Sequence, residues 1–151
     1  MLQDRREQLP LSFPSDPILT EVRKETLPIG DYQPEFENGT RPPIVFERKS
    51  VADLAGTLTT GYSRFKAEML RAKEAGLSLI VIVEDSLTKV RKGAPYSQES
   101  GESLLQRCFT LMLRYRLPII FCQNRREAAR YILEYSKAIG REYASSSKAS
   151  D

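Results

Sequence analysis

Two short runs of apolar residues constrain the fold more than any other feature of the sequence. Residues 77–83 and 118–122 are rich in Leu, Ile and Val, and polar or turn-forming residues bound them. Runs of this length are typical of strands buried on both faces, which occur mainly in parallel sheets covered by helices. The segments around them have apolar residues at helical spacing. The order of elements therefore predicts an α/β fold, with a central mixed β-sheet flanked by helices.

The first third of the chain has strand and turn signals but no helical pattern. Weak alternation over residues 18–26 and an apolar run at 44–46 indicate strands, and turn-forming residues at 28–31 and 37–40 separate them. We therefore expect residues 1–50 to form a small antiparallel meander.

Capping residues mark the first predicted helices. Ser50 is placed to cap a helix that begins at Val51, pauses near residues 60–61 and resumes over residues 63–75, where Gly76 ends it.

Two more helices are predicted in the second half of the chain. One covers residues 104–115, and a last one begins after Asn124, which forms a capping-box pattern with Glu127, and ends near Ile139. Ala128, Ala129, Ile132, Leu133 and Ala138 give this last helix an apolar face, which could cover the sheet or serve as a dimerisation surface.

Two segments lack any periodic pattern. Residues 86–101 contain glycine, proline, serines and a basic cluster, and we expect a long mobile loop there. Residues 144–151 are rich in serine and have little to bury, which predicts a disordered tail. We therefore expect one domain over residues 1–143, followed by this tail over 144–151.

Missing residue types exclude several kinds of chemistry. The 151 residues include no histidine, so His-dependent triads and His-ligated metal sites are impossible. The two cysteines, Cys108 and Cys122, are not spaced as a metal or redox motif, and we expect both to be buried. No apolar run is long enough to cross a membrane, and the N-terminus lacks the apolar region of a signal peptide. We therefore expect an intracellular, cytoplasmic protein without a membrane partner, associated with the nucleoid if the source is prokaryotic or phage.

Charge is distributed unevenly along the chain. The net charge is −2 over residues 1–50, +1 over residues 51–100 and +4 over residues 101–151. This pattern suits a site in which carboxylates bind a cation while a phosphate backbone lies across a basic flank. A solvated surface with chance asymmetry would give the same numbers.

A carboxylate and an ammonium group lie close together at the end of one predicted strand. The apolar run 44–46 is followed directly by Glu47, Arg48 and Lys49. If the strand continues through Lys49, alternation places Glu47 and Lys49 on one face, about 7 Å apart, and Arg48 on the other. Hairpin pairing would bring Asp31 beside Glu47. Two carboxylates and a lysine suit a hard divalent cation, although a surface ion pair and a turn aspartate would give the same pattern.

Several ordered motifs resemble those of the XPF nuclease family. Residues 4–7 (Asp-Arg-Arg-Glu) resemble the motif D-x-R-E, residues 30–32 (Gly-Asp-Tyr) resemble G-D-Y, and residues 47–49 with Asp53 resemble E-R-K-x-x-x-D. The likeness extends to about residue 140. The family belongs to the PD-(D/E)xK superfamily, so the resemblance implies a restriction-endonuclease-like fold.

The resemblance also implies roles for individual residues. Asp31 and Glu47, with the carbonyl oxygen of Arg48, would hold a divalent metal ion, Mg²⁺ or Mn²⁺, and Lys49 would be the catalytic lysine. Supporting roles are implied for Asp4, Arg6, Arg48 and Asp53, although Asp53 could equally cap a helix or pair locally. The residues that we expect to contact DNA are Arg6, Arg64, Lys89, Arg91, Lys92, Arg125 and Arg126, and for the last two a solvated helix face is the alternative.

Two features depart from the family pattern. Tyr62 follows Gly61 at a position where relatives often have a basic residue, which puts a phosphate contact there in doubt. A paired helix-hairpin-helix module commonly follows the nuclease domain in this family, and this sequence does not contain one.

The resemblance predicts a metal-dependent DNA endonuclease that hydrolyses phosphodiester bonds, at branched, flap or forked DNA, in DNA repair or recombination. Attack by a metal-activated water is the expected chemistry. The alternative is a catalytically silent module that binds DNA or a partner nuclease, and silent versions lose the metal-binding carboxylates that this chain keeps. A third hypothesis is a dimerising scaffold. DNA is the expected partner, and a homodimer is a further candidate assembly.

Overall fold

The computed structural model of the chain describes residues 1–19, 21–95 and 97–150, with the backbone alone over 147–150. Six strands and five helices are present in this described part. The strands are β1 (Leu2–Asp4), β2 (Arg23–Glu25), β3 (Tyr32–Gln33), β4 (Ile44–Lys49), β5 (Ser78–Val83) and β6 (Ile119–Phe121), and the helices are α1 (Val51–Leu58), α2 (Tyr62–Glu74), α3 (Leu87–Lys92), α4 (Gly101–Tyr115) and α5 (Arg125–Ser150).

The strands form one mixed sheet in the order β2-β1-β3-β4-β5-β6. β3 is antiparallel to both of its neighbours, whereas β4, β5 and β6 run parallel to one another. A mixed sheet flanked by helices is the fold that the sequence predicted.

The prediction of a purely antiparallel meander in residues 1–50 was wrong. β1 and β2 pair in parallel, with Leu2 opposite Arg23 and Asp4 opposite Glu25. Parallel neighbours need a long crossover connection, and residues 5–22 provide it. β1 is three residues long, which is too short to show alternation in the sequence.

The core consists of two clusters, one on each face of the sheet. Val45, Leu79, Val81 and Val83 pack with apolar residues of α1, α2 and α4. On the opposite face, Phe46, Ile80 and Ile82 pack with Tyr32 and α5. Alternate residues of β5 thus enter different clusters, which confirms that this strand is buried on both faces. Cys108 and Cys122 are free and buried, as expected.

The predicted helix boundaries around residues 50–76 are confirmed to within one residue. The Ser50 hydroxyl accepts a hydrogen bond from the Asp53 backbone N–H and caps α1. α2 begins after Gly61, and Gly76 adopts a φ of +70°, the left-handed conformation expected after a helix.

The last helix begins as the sequence predicted but extends further. Asn124 accepts from the Glu127 backbone N–H at 2.8 Å, and the Glu127 carboxylate accepts from the Gln123 N–H, as in a capping box. α5 runs to Ser150, so an end near Ile139 and disorder from residue 144 were wrong for the residues described. The ring of Tyr143 packs edge-on against Phe36, which gives the extension a partner on the body of the protein. Asp151, which was also assigned to the tail, lies outside the described residues.

The apolar residues of α5 cover the sheet. Ala128, Ala129, Ile132 and Leu133 are buried, so this face is not free to serve as a dimerisation surface. None of the described helices combines the length and apolar character needed to cross a membrane.

Residues 86–101 are more ordered than the sequence predicted. α3 begins after Ser86, whose hydroxyl accepts from the Lys89 backbone N–H, and the Val90 side chain is buried. One apolar residue in a polar segment carries too little periodicity to predict a helix. α3 is held in place by a close approach of α4, where a Cβ added at Gly101 would lie 2.0 Å from the Arg91 carbonyl oxygen.

This close approach gives a test of the packing between α3 and α4. We expect Gly101→Ala to destabilise the protein by on the order of 2–3 kcal/mol or more, because backbone rather than a flexible side chain must move. Gly56→Ala is the matched control, because a Cβ at Gly56 meets nothing within 4 Å. In this helical position alanine should stabilise by about 0.5–1 kcal/mol. Urea denaturation measures both changes, and equal midpoints for the two variants would contradict the close packing.

Candidate active site

Three of the polar residues predicted to be functional, Asp31, Glu47 and Lys49, meet at one edge of the sheet. β1, β2, β4, β5 and β6 all end at this edge because they run in the same direction, and β3 starts there because it runs the opposite way. Asp31 immediately precedes β3, and Glu47 and Lys49 lie at the end of β4. Crevices at the carboxyl ends of parallel strands are common ligand sites in α/β folds.

Backbone hydrogen bonds hold Asp31 beside the end of β4. The Asp31 N–H donates to the Phe46 carbonyl oxygen at 2.8 Å, and the Arg48 N–H donates to Asp31 Oδ2 at 2.8 Å. Gly30 permits this approach. Its φ is +78°, and an added Cβ would lie 3.0 Å from Val45 Cβ.

Glu47 and Lys49 occupy the same face of β4, as alternation predicted. Lys49 Nζ lies 3.5 Å from Glu47 Oε1, and both side chains are largely buried. Arg48 points to the other face. The structure therefore brings Asp31, Glu47 and Lys49 together, which were the three residues expected to carry the chemistry.

The two carboxyl groups are buried and repel each other. Burial, followed by the negative charges of Asp31 and Glu68, raises the pKa of Glu47 to about 9. Burial also raises the pKa of Asp31 to about 6, against the hydrogen bond from the Arg48 N–H. The Lys49 ammonium acts in the opposite direction on both groups. The positive charge of Lys49 therefore offsets only part of the cost of ionising the pair.

Glu68 is part of the site, and sequence reasoning did not find it. It lies on α2, close enough to Glu47 that its negative charge adds to the effect of burial in raising the pKa of that carboxyl group. Phe65, one helical turn earlier, is buried against the sheet. Residues three apart share a helix face, so this spacing was the signal available in the sequence.

Asp4 and Arg6 support the segment that carries Asp31. Asp4 Oδ1 accepts from the Leu27 N–H at 3.0 Å, and the Asp4 N–H donates to the Asp31 carbonyl oxygen at 2.7 Å. The Arg6 guanidinium binds Asp4 Oδ2 at 3.0 Å and the Leu27 carbonyl oxygen at 2.6 Å. Asp4 thus uses its side chain to hold a loop.

The Arg48 side chain makes its contacts on the face of the sheet opposite Glu47 and Lys49. Its guanidinium binds both carboxylate oxygens of Glu7 at 2.9 Å and Glu84 Oε2 at 2.7 Å. Asp53, in contrast, is exposed in the first turn of α1, where a negative charge favours the helix. Both residues were expected to support catalysis, and these roles stay predictions.

The residues expected to bind DNA fall into two groups. Arg6, Lys89 and Arg125 make ion pairs with Asp4, Asp85 and Glu84, respectively. The other four are exposed and have no side-chain hydrogen bond or ion pair within the described part of the chain. These are Arg64 on α2, Arg91 and Lys92 at the end of α3, and Arg126 at the start of α5.

The donor set at the strand edge fits one divalent cation. In the described ranges no group of three or more Asp, Glu, Cys or His side chains is arranged to hold a metal. Magnesium, however, commonly binds through one or two protein carboxylates and completes its shell with water and substrate phosphates. Asp31 and Glu47 provide two such carboxylates. A bound cation would neutralise their negative charges and so remove the repulsion between them.

A domain of this architecture, with paired carboxylates and a lysine at the sheet edge, is restriction-endonuclease-like. Residues 3–135 match the family model of the ERCC4 domain. The chain therefore belongs to the ERCC4 domain family. A search of curated proteins found no match.

Solved structures of XPF from Aeropyrum pernix share this fold at low sequence identity. One superposes with a TM-score of 0.67 at 21% identity and covers 97% of this chain and 68% of that chain. Another, which is that protein in complex with DNA, gives a TM-score of 0.63 at 21% identity and covers 93% of this chain and 64% of that one.

The raised pKa values of the two carboxyl groups predict how stability depends on pH. Without metal, the folded protein keeps protons on Asp31 and Glu47 that the unfolded chain has already released. The folded state therefore binds more protons from about pH 4, where free carboxyl groups titrate, to about pH 9. Asp31 contributes up to about pH 6 and Glu47 up to about pH 9, so these groups make stability fall as pH rises through this window. We expect the metal-free protein to melt at a lower temperature at pH 9 than at pH 6.

The Glu47→Gln variant is the control for this dependence. It removes the group with the larger shift, so its melting temperature should change less between pH 6 and pH 9. Circular dichroism melts of both proteins in EDTA provide the comparison. Identical pH profiles for the two proteins would contradict a buried, raised-pKa carboxyl at position 47.

Proposed function

We propose that this domain is a divalent-metal-dependent DNA endonuclease that hydrolyses phosphodiester bonds. The observation that carries the proposal is the Asp31–Glu47 pair with Lys49 at the end of β4. Membership of the ERCC4 domain family supports the same reaction class. The substrates that we propose are branched, flap or forked DNA, in repair or recombination.

Each residue of the site has a separate task in this proposal. Asp31 and Glu47 hold the cation, Mg²⁺ or Mn²⁺, whose chemistry is to neutralise phosphoryl charge and to lower the pKa of water. Lys49 holds a positive charge beside the scissile phosphate, where it stabilises the charge that develops in the transition state. Glu68 borders Glu47 on the α2 side of the site.

We propose that the unpaired cations bind the DNA backbone. Four of the expected DNA-binding residues can contact phosphate without breaking an ion pair; these are Arg64, Arg91, Lys92 and Arg126. The other three would first have to leave their carboxylate partners; these are Arg6, Lys89 and Arg125. Phosphate contacts of this kind position the nucleic acid and do not read its sequence. The first group should therefore contribute most of the salt-dependent affinity.

The principal test is cleavage of single-stranded, duplex, flap and forked DNA with Mg²⁺, Mn²⁺ or EDTA. We expect metal-dependent cleavage by the wild type and none by Asp31→Asn or Glu47→Gln, because each substitution removes one ligand charge with little change in volume. Both variants should fold and keep their DNA affinity, because removing a buried carboxylate also removes repulsion of phosphate.

Different results identify the rival functions. DNA binding without cleavage by the wild type would indicate a silent DNA-binding or partner module. Cleavage by the wild type and by both variants at equal rates would contradict the assignment of the site.

A second test separates Lys49 as a catalytic residue from Lys49 as a simple partner of Glu47. Lys49→Met keeps the aliphatic part of the side chain and removes its charge. We expect single-turnover cleavage at saturating Mg²⁺ to fall by at least about a hundredfold, equivalent to roughly 2.7 kcal/mol of barrier. The melting temperature should change little. A rate loss under about threefold would contradict the catalytic role, since it corresponds to less than ~1 kcal/mol.

A further inference from the structure

A buried ion network lies directly behind the candidate active site. Arg48 donates to Glu7 through Nε and Nη2 and to Glu84 through Nη1, at 2.7–2.9 Å. The side chains of these three residues are only 8–10% exposed. A bidentate arginine–carboxylate pair has a fixed relative geometry, so it orients both of its members.

The network extends to three other segments of the chain. Arg125 Nη1 binds the same Glu84 oxygen at 3.2 Å, and Arg125 Nη2 binds the carbonyl oxygens of Leu9 and Pro10 at 2.8 and 3.0 Å. The Tyr32 hydroxyl accepts from the Leu11 N–H at 2.8 Å, and burial, followed by the negative charge of Glu7, raises the pKa of this tyrosine. Ion pairs and hydrogen bonds therefore join the segment after β1 to β3, to β4, to Glu84 at the end of β5 and to the start of α5.

Arg48 connects this network to the candidate metal ligands through its own backbone. Its N–H donates to Asp31 Oδ2, and it stands between Glu47 and Lys49 in the strand. A change in the position of Arg48 therefore changes the separation of Asp31 and Glu47. Buried ion pairs often add little net stability, and fixing a unique arrangement is an alternative reason to keep them.

We propose that Arg48, Glu7 and Glu84 are positioning residues, which fix the end of β4 so that Asp31 and Glu47 lie at the separation one divalent cation requires. The Arg48 guanidinium itself does not contact DNA. This inference rests on the proposed function, because it assigns the network a role in the same metal site.

Metal affinity tests the inference without any measurement of cleavage. We expect Arg48→Met to bind Mn²⁺ about 10–100-fold more weakly than the wild type in calorimetric titrations, the usual range for residues that orient metal ligands. Glu84→Gln and Glu7→Gln keep their shape and lose only their charge, so they should fold and show smaller losses. Titrations are made at a temperature where circular dichroism shows each variant to be folded.

The double variant Glu7→Gln/Arg48→Met distinguishes positioning from general destabilisation. If Glu7 acts through Arg48, the double variant should bind Mn²⁺ within about twofold of Arg48→Met alone, because the effects of interacting residues are not additive. Arg5→Met is the matched control. Arg5 is exposed in the same segment, and its side chain makes one long contact, 3.4 Å to the Lys24 carbonyl oxygen.

DNA binding provides the second readout. The slope of log K against log salt should be the same for Arg48→Met as for the wild type, whereas loss of one phosphate contact in Arg64→Ala should reduce it by about 0.9 for duplex DNA. A reduced slope for Arg48→Met would overturn the inference, because it would show a direct phosphate contact.

The metal titrations separate failure of the inference from failure of the proposed function. If the wild type and Arg48→Met bind Mn²⁺ equally, the inference alone is wrong. If the effects of Glu7→Gln and Arg48→Met on metal binding are additive, Glu7 does not act through Arg48, and this outcome too contradicts the inference. A wild type that binds no Mn²⁺ contradicts the proposed function, and this inference fails with it.

Discussion

Two carboxyl groups held side by side in a buried position are the constraint on which the rest of this structure depends. Burial raises the pKa of both groups, and the negative charge of Asp31 further raises the pKa of Glu47, so it is costly to ionise both together. The Arg48 N–H, the Lys49 ammonium and the antiparallel placement of β3 hold them in place. A cation bound to both groups would remove this cost, and this is the role that we propose for the pair.

The side chains of β4 alternate between the two faces of the sheet, so the strand contributes to both core clusters. Val45, Glu47 and Lys49 face α1 and α2, with an apolar residue deep in the core and two polar residues at the edge. Phe46 and Arg48 face α5, again with the apolar residue inside and the polar one outside. The strand therefore places the proposed metal ligands on one face and the ion network of Arg48 on the other.

The basic side chains around the site fall into two groups. Some are held in contacts within the protein, and others are exposed without such a contact in the described part of the chain. Arg125 links Glu84 to the carbonyl oxygens of residues 9 and 10, so its charge is used to fasten the N-terminal segment. Arg64 and Arg126 are equally basic and have no such partner among the residues described. A sequence lists all of these residues as equivalent positive charges, and their availability for DNA depends on what lies next to them.

The sequence by itself determined the elements whose signals are local. Apolar runs defined β5 and β6, Ser50 and Asn124 defined helix starts, and alternation placed Glu47 and Lys49 together, because each of these depends on neighbours a few residues away. Only the tertiary structure decided that β1 pairs in parallel with β2 and that residues 87–92 form a helix. It also decided that Glu68 lies near Glu47 and that Arg48 pairs with Glu7, 41 positions away in the chain. These features depend on which distant segments meet, and that is set by the packing of the two core clusters on the sheet.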